Sequence, residues 1–94
     1  GARAFGLRVQ DLTRALAEQL GLDEVKGVVV TDVDPNGPAA EAGIRRGDVI
    51  LELDQKQIED IDDLGKKLDA ADESVLLLVR RGDDTIYVPL KRAE

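Results

Sequence analysis

Ninety-four residues are enough for one packed core and too few for two. A composition of 43% hydrophobic and 35% charged residues suits a folded globule, and a formal net charge of -7 opposes a phosphate-binding surface. With no cysteine and no histidine, the chain has no disulfide or thiol chemistry, no histidine-ligated zinc and no Ser-His-Asp triad; Ser74, the single serine, has no imidazole to activate it.

Phe5 and Tyr87 are the only aromatics, which supplies base stacking poorly, and the pairs Arg45-Arg46, Lys66-Lys67, Arg80-Arg81 and Lys91-Arg92 sit among carboxylates as solvated surface. No apolar run approaches the roughly 18 residues of a membrane span, and no signal-peptide stretch precedes the first element. Because Gly1 lies close to an apolar segment, the chain, read as a single domain over 1–94, is expected to be a piece of something larger.

Phe5, Leu7 and Val9 alternate with Gly6, Arg8 and Gln10, the pattern of a short half-buried strand. Asp11 or Thr13 caps a helix predicted over 12–20, whose apolar positions Leu12, Leu16 and Leu20 recur at helical spacing before Gly21 stops it. The β-branched run Gly27–Val33 reads as a strand ended by Pro35-Asn36-Gly37-Pro38. A helical stub follows over 38–42, with proline at its first position and Gly43 as its stop. Asp48–Asp54 is a strand with both faces partly covered, Gln55-Lys56 a hairpin link, and Ile58 part of a short return strand.

Asp60 or Asp62 caps the next helix, with aspartates at 60, 62 and 63 suited to its positive end and Ile61, Leu64 and Leu68 as its apolar stripe. Gly65 in its interior marks close packing or local tolerance. Val75–Val79 and Thr85–Leu90 flank Arg80–Asp84 as a final hairpin. The expected fold is mainly β within the α+β class: a roll of five to six short strands, two helices and one stub.

Four segments together resemble a PDZ domain of the bacterial HtrA/Deg (DegP-like) serine protease family: Ala4-Phe5-Gly6-Leu7; Leu12 to Leu22; Pro38-Ala-Ala-Glu-Ala-Gly-Ile-Arg-Arg-Gly-Asp-Val-Ile-Leu51; and Ile58 to Leu68. The third is the most specific, because it orders a stub, a glycine turn and a strand. The resemblance implies a partly open barrel and a noncatalytic module that captures C-terminal or extended peptides by β-strand addition. It would present substrate to, or regulate, an attached trypsin-like serine endopeptidase in protein quality control, in a bacterial periplasm or cell envelope.

Carried over residue by residue, the carboxylate loop is Ala4-Phe5-Gly6-Leu7, the receiving strand is Leu7, Arg8, Val9 and Gln10, and the groove helix spans roughly 60–69. Arg3 matches a basic residue that often precedes the loop. An open strand edge offers N–H and C=O groups that a peptide satisfies. The amides of Gly6 and Leu7 are expected to hold a terminal carboxylate, and Phe5, Leu7, Val9 and Leu64 to line a pocket for an apolar last residue. Burying one such side chain is worth about 1.5–3 kcal/mol, which suits micromolar or weaker binding after ordering costs. Lys67 lies along the groove rim or faces solvent; Asp60 selects an upstream peptide side chain or caps the helix. Ala4 stands where many PDZ domains carry the first glycine of Gly-Leu-Gly-Phe.

Other readings remain open at this point: an interdomain or oligomerisation module without its own ligand, or a PDZ domain of a tail-specific or intramembrane zinc protease. Glu59, Asp60, Asp62 and Asp63 are the one candidate for a cation site or paired carboxylates. They lie along a single helix start, so no metal or other cofactor is expected.

Overall fold

The computed structural model describes residues 1–92. A 3-10 turn, Ala2–Phe5, leads into strand β1, Leu7–Asp11, followed by helix α1, Arg14–Gln19, and strand β2, Val28–Val33. A one-turn helix α2, Pro38–Glu41, precedes the hairpin β3, Val49–Leu53, and β4, Lys56–Gln57. Helix α3, Ile61–Ala70, then gives way to the long hairpin β5, Ser74–Arg81, and β6, Asp84–Lys91.

All strand pairs are antiparallel, in the order β1-β2-β3-β5-β6 with β4 appended to β3. The two long edges of the sheet are therefore β1 and β6. Alternation puts Val75, Leu77 and Val79 of β5 and Val88 and Leu90 of β6 on the inner face, where they pack with Phe5, Leu7, Ile50, Leu64 and Leu68. A smaller apolar layer, Leu12, Ala17, Val29 and Val49, forms where α1 covers the opposite face.

Local chemistry explains most boundaries. The Thr13 hydroxyl accepts the Leu16 N–H at 3.1 Å and starts α1, and proline at the first position starts α2. At Gly27 (φ +110°) a Cβ would stand 2.7 Å from the Ile50 carbonyl oxygen, so only glycine lets β2 enter beside β3. The hairpin link falls at Asp54 and Gln55, both at positive φ, one residue earlier than expected; Lys56 is already in β4 and Ile58 lies just beyond it.

One reading of the N-terminus is corrected. Phe5 belongs to the 3-10 turn, not to a strand; Gly6 at φ +75° redirects the chain, and β1 begins at Leu7.

The one buried charge among the described residues, Asp48, ties the α2–β3 loop to β5. Arg81 grips its carboxylate with Nε and Nη2 at 2.9 and 2.7 Å, the Arg45 N–H donates to it at 2.9 Å, and Arg81 Nη2 also reaches the Gly43 carbonyl at 2.8 Å.

Candidate groove between β1 and the third helix

β1 is a sheet edge whose outward groups can be identified. The Gly6 carbonyl accepts the Asp34 N–H at 2.9 Å, on the β2 side, so the Leu7 N–H across that peptide unit points away from the sheet. Val30, opposite Val9, spends its N–H on the Asp48 carbonyl and its carbonyl on the Gly47 N–H, both towards β3. By antiparallel alternation Leu7, Val9 and Asp11 direct their backbone N–H and C=O groups to the free edge.

The opposite edge is different. Leu76, which faces Pro89, uses both its N–H and its carbonyl on Asp54, each at 2.8 Å, so Pro89 lies in a non-hydrogen-bonded pair and turns its ring nitrogen outwards. That edge lacks a donor where β1 has one.

Helix α3 runs alongside β1 in the reverse sense. Its start meets the end of β1, where the Asp11 carboxylate accepts the Ile61 N–H at 2.8 Å. Its far end lies by the 3-10 turn, where Asp69 Oδ1 is 2.5 Å from the Gly1 nitrogen. Arg92 secures that end, donating to the Leu68 and Ala71 carbonyls at 2.9 Å each, with its guanidinium 5.4 Å from the Phe5 ring centroid. At helical spacing Ile61, Gly65 and Asp69 share the flank turned towards the 3-10 turn and β1; Ile61 is 40% exposed and a Cβ at Gly65 would meet nothing within 4 Å. The Gly65 site is open space, which removes close packing as its explanation.

The expected site residues fall into distinct settings. Leu7 and Val9 present the edge, and the Arg8 and Gln10 side chains are exposed. Arg3, Gly6, Leu7 and Arg8 come together with Asp32 and Asp34 around a shallow cavity of about 430 Å³ at the start of β1. Ala4 is exposed on the 3-10 turn.

Three expectations about the pocket need correction. Phe5, Leu7 and Leu64 are at most 2% exposed and fill the main core, so they do not line an open pocket here; only Val9 is half-buried at its margin. The Gly6 amide does not stand free for a carboxylate, because it donates to the Arg3 carbonyl at 3.0 Å and closes the 3-10 turn. Lys67 is not on the groove rim: it lies on the opposite flank of α3, paired with Asp63.

Asp60 is held as the helix cap, its Oδ1 accepting the Asp63 N–H at 2.8 Å. Asp63 accepts the Lys67 ammonium and, at 2.9 Å, the Glu59 N–H; the lysine first and the amide second hold its carboxyl below the ordinary carboxylate range. These aspartates are spent on starting the helix. Asp11, Ile61 and Gly65 border the groove and were not anticipated from sequence, and neither was Arg92, which secures the far end of α3. The Ile61-x-x-x-Gly65 spacing carried the signal for the helix flank, but the phase of α3 was needed to read it.

Comparison with known proteins agrees with this architecture. The family model described as a PDZ domain matches residues 29–81. A probable periplasmic serine endoprotease DegP-like of Chlamydia pneumoniae is 38% identical over 91 residues, 95% of this chain and 19% of that protein. The periplasmic serine endoprotease DegP of Salmonella typhimurium is 40% identical over 72 residues, 77% of this chain and 15% of that protein. The chain thus spans less than a fifth of these relatives. Among solved structures, the HtrA3 PDZ domain bound to a phage-derived ligand (FGRWV) superposes with a TM-score of 0.83 at 27% identity, covering 95% of this chain and 83% of that one. The HtrA-type protease AlgW with a decapeptide superposes at 0.77 and 32% identity, covering 93% of this chain and 27% of that one. The chain belongs to the PDZ domain family and is of the kind carried by HtrA-type and DegP-like proteases.

Proposed function

We propose that the chain is a noncatalytic peptide-binding module that accepts a C-terminal or extended segment as an added strand along β1. The observation that carries this reading is the free edge of β1, with the Leu7 and Val9 backbone groups unpaired beside the bare Ile61–Gly65 flank of α3. Peptides in the HtrA3 PDZ domain and in AlgW support it by likeness. Leu7 supplies the amide for a terminal carboxylate, Arg3 and Arg8 the cationic groups beside it in a cavity they share with Asp32 and Asp34, and Val9 the next backbone pair. Phe5 and Leu64 form the floor, which a ligand side chain reaches only when α3 yields. Within a longer protein of the DegP type, the module would hold substrate for, or relay a peptide signal to, a serine endopeptidase in the periplasm or envelope, the setting in the relatives' names.

Titration with matched peptides bearing free or amidated C-termini, followed by NMR, tests this reading. Saturable shifts are expected at the amides of Leu7 to Gln10, larger for the free acid. Shifts elsewhere, or none, would sink it. A second reading, docking on another domain or subunit, is favoured by one observation: Leu76 and Tyr87, 37% and 59% exposed, stand on neighbouring strands β5 and β6 on the outer sheet face. Shifts confined to Leu76 and Tyr87 on adding a protease domain would favour it.

A further inference from the structure

The hydrogen bond between the Asp11 side chain and the Ile61 N–H joins two elements 50 positions apart, and it does so at one end of the groove. β1 and α3 are the two walls. At the Leu7 end lies the 3-10 turn; at the other end the Asp11 carboxylate crosses to the helix, at 2.8 Å from the Ile61 nitrogen. The cap of α3 does not depend on this contact, because Asp60 already holds the Asp63 N–H. Asp11 therefore spans the groove without being needed to start the helix.

Strand geometry sets what this crossing does. A ligand antiparallel to β1, with its last residue opposite Leu7, places its third-last residue opposite Val9 and its fifth-last opposite Asp11. The backbone groups of Leu7 and Val9 face the free edge, whereas at Asp11 the side chain itself reaches across to α3.

We infer that Asp11 is a specificity-determining residue for ligand length: its side chain bars the groove, so that four C-terminal residues of a peptide pair with β1 and residues further upstream are turned out of it. The inference rests on the strand-addition reading above. Exclusion of the fifth residue is a steric and hydrogen-bonding effect of the bridge and does not need the charge of Asp11. Asp11→Asn keeps an acceptor for the Ile61 N–H and keeps the bar; Asp11→Ala removes it.

The test uses the tetrapeptide Gly-Arg-Trp-Val and a decapeptide in which Thr-Ser-Thr-Ser-Thr precedes Phe-Gly-Arg-Trp-Val, the sequence held by the HtrA3 PDZ domain. Affinities are measured by calorimetry or fluorescence for the unmodified protein, Asp11→Asn and Asp11→Ala, with thermal melting to establish that each is folded. The two peptides should bind the unmodified protein and Asp11→Asn equally, within about twofold, whereas Asp11→Ala should favour the decapeptide by about fivefold, the yield of one or two added strand hydrogen bonds. In the unmodified protein saturated with decapeptide, hydrogen exchange should slow at the amides of Leu7 and Val9 but not Asp11; protection of the Asp11 amide there would overturn the bar without any substitution. Equal preference for length in all three proteins leaves peptide binding standing and overturns the role of Asp11. Binding of neither peptide to any of the three would overturn the strand-addition reading and this inference with it.

Discussion

Asp48 shows how one buried charge can organise a loop. Its carboxylate takes two hydrogen bonds from Arg81 and one from the Arg45 amide, so both oxygens are satisfied inside the fold. Removing the arginine strands the carboxylate with a single amide. Arg81→Met should cost about 3 kcal/mol, the lower end for a broken buried pair because part of Arg81 remains in water. Asp48→Asn, which still accepts from Arg45, should cost less. Urea denaturation of the two variants checks the order; equal losses would mean that the loop does not depend on the ion pair. The Arg46-Gly47-Asp48 run was legible as a turn into a strand, but the partner of Asp48 was not, since Arg81 lies 33 positions away across the sheet.

At the scale of elements, α3 combines a strong start with a weak middle. Asp60 and Asp63 cap it, while Gly65 interrupts a stretch where alanine would hold the helix better. Because a Cβ at Gly65 meets open space, Gly65→Ala should stabilise the domain by about 1 kcal/mol and raise the melting temperature by roughly 4–8 °C in a domain of this size. A lower melting temperature would show that the flank is not free.

The same helix explains what could be read from sequence. Its limits were legible because Asp60 and the charged first turn are chemical signals at fixed offsets. Which residues face β1 depends on the rotational setting of α3, and that is decided by Leu64 and Leu68 entering the core. The opening strand was misread for a related reason: Phe5, Leu7 and Val9 alternate like a strand, yet the Gly6 carbonyl bonds to Asp34 and its amide to Arg3, which forces a turn there. The β-branched run of β2 and the turns at Gly37 and Gly43 carried no such ambiguity.

Taken whole, the molecule has two long sheet edges and treats them unequally. Pro89 deprives β6 of an outward donor, while β1 keeps its outward groups and is shielded only by the neighbouring helix. Pro89→Thr should restore a donor to the β6 edge and promote edge-to-edge association. Sedimentation velocity at matched concentrations should then show larger species for Pro89→Thr than for the unmodified protein. Identical sedimentation would mean that proline is not what keeps that edge from pairing.

The close approach of Gly6 and Gly37 carries a mechanical consequence. A Cβ on Gly37 would stand 3.2 Å from the Gly6 Cα, and one on Gly6 would stand 3.2 Å from the Asp34 Cβ, so the turn before β1 is seated directly against the turn after β2. That side behaves as a door frame, joined backbone to backbone. The helix opposite behaves as the leaf, hung on the side chains of Asp11 at one end and Arg92 at the other. On the strand-addition reading, any adjustment to a ligand is therefore expected at the leaf and not at the frame.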